Sequence, residues 1–459
     1  MKRLSRSFAY YFTFVFLVAC SVHSPAVDVT PEQAAREASV NPPVLHFRPE
    51  AENLPSELQK PYVILISIDG YRYDYNKIFS PPNLIRIASE GVAAEALQPV
   101  YPSKTFPSHY SIVTGMYPEH HGIVSNEFYD PVRRSMYAMG DKPAVEDGTW
   151  YLSEPLWNTI FKQGMTTASF FWVGSEADIQ GMHPNSYLRY NGSVPNEKRV
   201  RQVVEWMKEP VEKRPHFITL YFNDVDVASH KFGSASKEVG EAIANIDTAI
   251  GHLRDGVASL NLPVNIIVVS DHGMQDVDPE KVIIIDEKKE IAELLKKFRV
   301  VGRGPQMLLY LNTGEALGDV WALKDLLTKN IKHARFLHGN ELKRLHYDAS
   351  PRTGDLVIEP DAPYSLGLKN SRPTVKGGNH GWDAVRFPIM NGIFYAVGPA
   401  FREKTRLPVF ENIHVAPLVL EILGLKVPTS MDGKLEVTRR ALKVGIKTKK
   451  MPGKKADAA

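Results

Sequence analysis

The stretch that decides the fold is YVILISIDG, residues 62–70, a continuous run of apolar and mostly β-branched residues that ends in Asp and Gly. Runs of this kind are typical of central strands that are buried on both faces of a parallel sheet. Four more segments have the same form: TASFFW (167–172), HFITLYF (216–222), NIIVVSDHG (265–273) and GIFYAVG (392–398). We therefore predict that all five are central strands of one parallel sheet.

Helical patterns alternate with these strands. They are PNLIRIASEG, EPLWNTIFKQG, EKRVRQVVEWMKE, KEVGEAIANIDTAIGHLRDGVASL and ENIHVAPLVLEILGL. Alternation of strands and helices predicts an α/β fold, a doubly wound and mainly parallel sheet with helices on both faces. Ligands in such folds bind at the carboxyl ends of the strands. Those ends are where functional side chains should be sought.

The composition is that of an ordinary globular protein. The chain has 459 residues, of which 43% are hydrophobic, and a formal net charge of +3. That length is enough for one large α/β domain or two smaller ones. Because the charge is small and mixed along the chain, no large basic field indicates specific nucleic-acid binding.

The N-terminus has the pattern of an export signal. A basic segment, MKRLSRSF, precedes the apolar AYYFTFVFLVA, which is too short to span a membrane comfortably. The segment ends at LVAC, and Cys20 is the only cysteine. This arrangement resembles a bacterial lipoprotein signal, so we expect a signal peptide over 1–19, a lipid on Cys20 and a tether over 20–55. The chain would be exported and held on a bacterial membrane. Ser21, the residue after Cys20, resembles the sorting signal of lipoproteins that go to the outer membrane. A plain secretory signal is the alternative.

Candidate metal ligands stand at the predicted strand ends. They are Asp69, Asp226, His230, Asp271, His272 and His380. Each alone is weak evidence, because an Asp that closes a strand is commonly a cap or turn residue. Together, carboxylates and imidazoles are the ligands that suit Zn²⁺ or a similar divalent ion. Six of them can hold two ions, which is the usual arrangement for displacement at phosphorus.

The candidate nucleophile is Thr105, in KTFPSHYSIVTG. Pro107 is well placed at a helix start. Thr105 would then lie at a helix N-terminus, where free N–H groups and the helix dipole favour an alkoxide and a phosphate. Beside a metal cluster, a nucleophile is the better interpretation of Thr105 than a helix cap.

Five motifs in order carry a family resemblance: KTFPSHYSIVTGMYPEHHGI, FFWVGSEADIQG, DVDVASHKFG, VVSDHGM and GGNHGWD. Together they resemble the nucleotide pyrophosphatase/phosphodiesterase family of the alkaline phosphatase superfamily, over about residues 60 to 425. The resemblance implies an alkaline-phosphatase-like fold over 56–430. Within it, about 275–375 would form a small inserted sheet that caps the site. We expect the remainder, 431–459, to be a Lys-rich tail.

The resemblance also implies roles for residues. One zinc ion would be held by Asp69, Thr105, Asp271 and His272, and the other by Asp226, His230 and His380. Thr105 would attack phosphorus to form a phosphothreonine intermediate, which water then hydrolyses. Asn126 would donate a hydrogen bond to a phosphoryl oxygen. Two departures, DVD at 224–226 and Ser229 in place of Gly, put the substrate preference in doubt.

The expected substrates are nucleotides or other small phosphodiesters. By the resemblance, Phe106, Tyr190 and Tyr221 would bind a nucleobase by stacking, and the segment around Tyr190 favours nucleotides over lipids. A phosphomonoesterase is an alternative, although no Arg adjoins the nucleophile motif. A phosphonate hydrolase and a non-catalytic surface lipoprotein also stay open. A sulfatase does not fit, because SKTFPS lacks its motif. The sequence does not indicate the oligomeric state.

Overall fold

The structure is a computed structural model that describes residues 44–373 and 376–443. The predicted signal peptide, Cys20, most of the tether and the end of the tail lie outside the described residues. No helix of the described residues combines the length and the apolar character that crossing a membrane requires.

The strands are numbered in chain order. They are Leu45–Phe47 (β1), Tyr62–Ile68 (β2), Val92–Ala94 (β3), Leu97–Gln98 (β4), Glu127–Asp130 (β5), Ser135–Ala138 (β6), Thr167–Phe170 (β7), Ser186–Leu188 (β8), Phe217–Phe222 (β9), Val264–Val269 (β10), Gln275–Asp276 (β11), Val282–Ile284 (β12), Phe298–Val301 (β13), Met307–Leu311 (β14), Ala334–Leu337 (β15), Leu356–Pro360 (β16), Ser365–Gly367 (β17), Gly378–Asn379 (β18), Phe394–Val397 (β19), Thr405–Leu407 (β20) and Phe410–Glu411 (β21).

The helices lie mostly between these strands. The α-helices are Tyr75–Phe79, Pro82–Glu90, Thr105–Thr114, Pro118–His121, Lys142–Glu146, Leu156–Lys162, Asn196–Lys208, Asp224–Phe232, Lys237–Ala258, Lys289–Leu295, Gly318–Asn330, Asn340–Lys343, Val415–Leu423 and Leu435–Thr438. Short 3₁₀ helices cover Gly148–Trp150, Pro351–Thr353, Pro388–Met390, Asn412–His414 and Arg439–Ala441.

The main sheet has nine strands in the order β1-β8-β7-β9-β2-β10-β19-β3-β20. The five consecutive strands β8, β7, β9, β2 and β10 pair in parallel with one another, which confirms the predicted parallel core. One expectation was wrong: β19, the strand in GIFYAVG, is antiparallel to both β10 and β3. A strand buried on both faces has the same apolar pattern in either direction, so the sequence pattern alone does not give its direction.

Both faces of this sheet are covered, as a doubly wound fold requires. On β2, Val63 and Leu65 belong to the core cluster that also contains residues of the helices Thr105–Thr114 and Val415–Leu423. Ile64 and Ile66 point to the opposite face and join the cluster formed with the helices Asn196–Lys208 and Lys237–Ala258. Alternate residues therefore anchor opposite helix layers, and each fully buried side chain contributes about 1.5–3 kcal/mol.

A second sheet is inserted between the strand ends that carry His272 and His380. It is antiparallel, in the order β13-β14-β16-β15, and it packs against the helix Gly318–Asn330 to form a separate apolar core. This confirms the small inserted sheet that the sequence between His272 and His380 predicts. The loop between β13 and β14 extends to the candidate site described below.

The folded domain extends beyond the bounds expected from the sequence at both ends. Residues of β1, placed in the predicted tether, pair antiparallel with β8 at the edge of the main sheet. The predicted tail begins with packed residues, because Leu435, Ala441 and Leu442 are buried in the core. The Lys-rich composition obscured these few apolar residues, whose burial fixes the start of the segment to the domain.

Candidate active site

Three carboxylates meet at one edge of the main sheet. Asp69 directly follows β2, Asp271 lies two residues beyond β10, and Asp226 lies in the helix that follows β9. Since β9, β2 and β10 are adjacent and parallel, their carboxyl ends converge. The Gly70 N–H donates to Asp271 Oδ1 at 3.1 Å. Gly70 has a φ of +67°, and a Cβ there would lie 3.1 Å from Asp226, so glycine is required at this position.

Three histidines surround these carboxylates. His272 Nε2 lies 3.0 Å from Asp271 Oδ2 and 3.3 Å from Asp69 Oδ1. On the other side, Asp226 Oδ1 is 3.3 Å from His230 Nε2 and 3.8 Å from His380 Nε2. The rings of His272 and His380 stack with centroids 3.5 Å apart, which joins the two halves of the cluster. All six predicted metal ligands are thus brought together.

The second nitrogen of each histidine is bound by a backbone carbonyl. The Nδ1 atoms of His230, His272 and His380 lie 2.8, 2.8 and 2.9 Å from the carbonyl oxygens of Gly378, Gly273 and Ser103. A neutral imidazole that donates from Nδ1 presents a lone pair at Nε2. This is the usual outer support of a metal-binding histidine.

The carboxylate oxygens that face the cluster centre lack hydrogen-bond partners. Asp69 Oδ1, Asp226 Oδ1 and Asp271 Oδ2 are all buried without one. The possible ligand atoms form two groups, and inside each group all of them lie within 4.8 Å of one another. One group is Asp69, Asp271 and His272, and the other is Asp226, His272 and His380. Buried unpaired anions are costly, so the donor set fits divalent metal ions. His272 belongs to both groups, whereas the resemblance assigned it to one ion.

The pKa values reflect this crowding of charges. Burial, together with Asp271 and Asp226, raises the pKa of Asp69 well above its usual range. Burial also raises the pKa of Asp226, but His230, His380 and His272 together outweigh burial and bring the pKa to about 2. Burial and the neighbouring His272 hold the pKa of His380 well below its ordinary value. Asp69 is thus the carboxylate whose ionisation its surroundings disfavour, and a bound cation would stabilise its anionic form.

Thr105 is the first residue of the helix Thr105–Thr114, and its Oγ1 atom lies 3.3 Å from His272 Nε2. The cap position is Lys104 and no side chain caps the helix, so Thr105 is not an N-cap. The expected row of free N–H groups is absent here, because the Phe106 N–H donates to Asn126 Oδ1 at 2.9 Å and Pro107 has no N–H. The helix dipole remains available to an anion at this end.

Sequence reasoning missed His109, which is fully buried one helical turn after Thr105. Its Nδ1 lies 2.9 Å from the Thr105 carbonyl oxygen and 3.3 Å from Asp271 Oδ2, while Nε2 is 2.8 Å from Ser67 Oγ. His109 thus connects the backbone of the nucleophile candidate to a metal-ligand candidate. The available signal was its i, i+4 spacing from Thr105.

The four predicted substrate-binding residues take different positions. Tyr190 is 49% exposed and its ring lies edge-on to that of Tyr221, with centroids 5.9 Å apart. Tyr221 also donates from its hydroxyl to Asp69 Oδ2 at 2.5 Å, a contact that sequence reasoning missed. Phe106 contacts Tyr137 instead, with centroids 6.2 Å apart. Asn126 uses Oδ1 for the Phe106 N–H, which leaves its Nδ2 group to donate elsewhere.

A cavity of about 230 Å³ opens beside His230 and His380. Its walls include Asn126, Lys104 and, from the inserted sheet, Arg303. Burial lowers the pKa of Lys104 to about 8, an effect that Glu127 partly offsets. Neither cation was among the predicted site residues. Arg303 lies about two hundred residues from Thr105 in the sequence, so only the fold brings it to this cavity.

Comparisons with known proteins agree with this geometry. A family model described as type I phosphodiesterase/nucleotide pyrophosphatase matches residues 63–383. The human ectonucleotide pyrophosphatase/phosphodiesterase family member 1 is 35% identical over 412 residues, which cover 87% of this chain and 44% of that protein. The chain thus spans about half the length of the curated relatives it matches.

Solved structures give the same assignment. Human ectonucleotide pyrophosphatase/phosphodiesterase 5 superposes with a TM-score of 0.76 at 27% identity, covering 83% of this chain and 99% of that one. An inactive form of the murine protein 5, solved in complex with AMP, has a TM-score of 0.75 at 27% identity and covers 84% of this chain and 100% of its own. Motifs, fold and ligand geometry converge, and the chain belongs to the type I phosphodiesterase/nucleotide pyrophosphatase family.

Proposed function

We propose that this protein is a metal-dependent hydrolase that cleaves phosphodiester or pyrophosphate bonds of nucleotides, with Thr105 as the nucleophile. The observation that carries this proposal is the position of the Thr105 hydroxyl. Thr105 is at the N-terminus of its helix, and its hydroxyl lies 3.3 Å from His272 Nε2. That hydroxyl adjoins buried carboxylates whose inner oxygens lack partners. Such a site can hold cations, lower the pKa of a hydroxyl and stabilise charge on a phosphoryl group.

The proposed metal complement is two Zn²⁺ ions, one with Asp69, Thr105, Asp271 and His272 and one with Asp226, His230 and His380. Bound there, zinc would supply Lewis-acid stabilisation of the phosphoryl oxygens and activation of the attacking oxygen. The mixture of carboxylates and neutral imidazoles supports zinc over calcium or magnesium, which prefer oxygen ligands alone.

The chain's own groups then account for the reaction. Thr105 Oγ1 attacks phosphorus, the first leaving group departs, and a phosphothreonine remains until water hydrolyses it. His109 binds the Thr105 carbonyl and so fixes the start of the helix. Asn126, positioned by the Phe106 N–H, has an amide group free to donate to a phosphoryl oxygen.

A nucleotide substrate is supported by the aromatic residues and by a relative. Tyr190 and Tyr221 present neighbouring rings beside Asp69, and aromatic faces stack on any base with little discrimination. The murine protein 5 was solved with AMP. Phe106, whose backbone N–H donates to Asn126, stays a third candidate for stacking on the base.

A phosphomonoesterase is the second candidate function. One observation favours it: Arg303 lines the same cavity as Asn126, and a guanidinium can bind the extra charge of a monoester. No Arg adjoins the nucleophile motif in the sequence, but the fold brings Arg303 to the same cavity as Asn126.

One assay separates these functions. We expect the purified chain, without its signal peptide and Cys20, to hydrolyse the nitrophenyl ester of thymidine monophosphate at least about tenfold faster than nitrophenyl phosphate. A chelator should abolish turnover and added zinc should restore it, because the carboxylate cluster requires cations. Bis(nitrophenyl) phosphate, which lacks a nucleoside, should be a poorer substrate if the tyrosines bind a base. Faster monoester cleavage would instead support the second candidate.

We further propose that the chain is exported and anchored to a bacterial membrane by a lipid on Cys20. The support is the signal-like segment that ends at this single cysteine. Lipid attachment would hold the protein at a membrane surface without a spanning helix. Radiolabelled palmitate should be incorporated into the full-length chain and not into Cys20→Ser. Equal labelling of both proteins would contradict the anchor.

A further inference from the structure

We propose that Arg303 is a specificity-determining residue that binds an anionic leaving group, the second phosphate of a nucleoside polyphosphate. The preferred bond would then be a phosphoanhydride rather than a simple diester. This inference rests on the proposed function and names the substrate class within it.

Arg303 is presented to the cavity by a well-fixed loop. Its neighbours Gly302 and Gly304 have φ values of +89° and +72°. Gly304 exchanges two backbone hydrogen bonds with Leu366, at 2.9 and 2.8 Å, and Gln306 is buried. Arg303 itself is exposed and makes no ion pair or hydrogen bond with any residue that the structure describes. A guanidinium without a partner, on a loop whose backbone is fixed, is available to bind an anionic ligand.

The cavity has the charge expected of an anion-binding site. Lys104 lies on its wall, with Nζ 3.2 Å from Ser125 Oγ, and Arg303 contributes the second cation. Glu127 is the one acidic side chain among the cavity-lining residues of the described chain, and it is exposed to solvent. Two cations thus outweigh one solvated anion.

The position of Arg303 favours the leaving group over the phosphorus under attack. The cavity is lined by His230 and His380, at one end of the ligand cluster. Tyr221 is at the other end, hydrogen-bonded to Asp69. A nucleotide whose base contacts the tyrosines places its first phosphorus at the cluster and its remaining phosphates towards Arg303. Thr105 is not among the residues that line this cavity.

The chemistry balances with water as the one co-reactant. As the bond from Thr105 Oγ1 to the α-phosphorus forms, the hydroxyl proton passes to solvent, the bond from that phosphorus to the bridging oxygen breaks, and the departing phosphate or pyrophosphate keeps the electron pair. Its negative charge rises as it leaves, so a guanidinium contact is strongest in the transition state. Water then releases the nucleoside monophosphate from Thr105.

The test compares two substrates in one set of variants. ATP carries a leaving phosphate, whereas nitrophenol in the nitrophenyl ester of thymidine monophosphate does not. We expect Arg303→Ala to lower kcat/KM for ATP by about 10- to 100-fold, and for the nitrophenyl ester by less than about threefold. Arg303→Lys should restore part of the ATP activity. Arg201→Ala removes another exposed arginine, from the helix Asn196–Lys208, that does not line the cavity, and it should change the kcat/KM of neither substrate.

Other outcomes overturn the inference. An unchanged kcat/KM for ATP, or an equal loss on both substrates, means that Arg303 does not bind the leaving group. A loss confined to nitrophenyl phosphate, assayed in parallel as a third substrate, means that Arg303 binds the phosphoryl group under attack instead. Failure of the wild type to cleave the nitrophenyl ester is a separate result, because it removes the proposed function itself. Metal content and melting temperature, measured for each variant, show that the fold is retained.

Discussion

Thr105→Ala is expected to lower kcat for the nitrophenyl ester of thymidine monophosphate by about 10⁴-fold or more, since loss of a nucleophile removes the covalent route. The substitution removes the γ-methyl group and the hydroxyl, which lies 3.3 Å from His272 Nε2, and it leaves the three carboxylates and three histidines in place. Metal content should therefore change little, although Thr105 is a proposed ligand. Turnover is measured at saturating substrate, so that weaker binding is not mistaken for slower chemistry.

Two control variants make this result specific. Thr105→Ser keeps a hydroxyl at the same position and should retain part of the activity. Acid quenching of this variant or of the wild type should trap the thymidine monophosphate group on residue 105. Ser108→Ala removes a buried hydroxyl without a hydrogen-bond partner from the same helix and should behave as wild type. If Thr105→Ala stays within about tenfold of wild type, the nucleophile is a water molecule or another residue.

The strands and helices of the scaffold could be predicted because buried elements have a characteristic spacing of apolar residues in the sequence. Every residue of β2 is buried, and this appears in the sequence as an unbroken apolar run. Direction and edges were harder to predict. The antiparallel direction of β19 depends on which strand it pairs with. The strand β1 exposes Leu45 and Phe47 and is stabilised by backbone pairing to β8 and by the stacking of His46 on Tyr187. Neither property is encoded in local composition.

Site residues could be predicted where they directly follow a strand within a short motif. They could not be predicted where segments distant in the sequence come together in the fold. Asp69 and Asp271 follow apolar runs, so the topology of a parallel sheet brings them together. His109 was missed because a buried histidine in a helix resembles core packing until its bonds to Thr105 and Asp271 are seen. Arg303 was missed because its position depends on how the inserted sheet folds back to the cavity.

His272→Ala tests whether one residue serves both halves of the ligand cluster. Its Nε2 is close to Asp69 and Asp271, and it also belongs to the group formed by Asp226 and His380. We expect its removal to lower the metal content from about two ions per chain to less than one, with loss of at least about 10³-fold in activity. Metal content is measured by elemental analysis after equilibrium dialysis against zinc.

The matched variant is His230→Ala. Nε2 of His230 lies 3.3 Å from Asp226 Oδ1, and His230 belongs to neither compact donor group, so this variant should retain about one ion per chain. His252→Ala, which removes an exposed histidine paired with Glu197, should retain the full metal content and activity.

The comparison between the two cluster variants is decisive because the family resemblance and the geometry differ on this point. If His272→Ala and His230→Ala each retain about one ion, His272 serves a single ion as the resemblance implies. If His272→Ala alone loses both, its place between the two groups is functional. In that case Asp69 and Asp271 would be left as buried carboxylates without a neighbouring cation, and the variant should also unfold at a lower temperature.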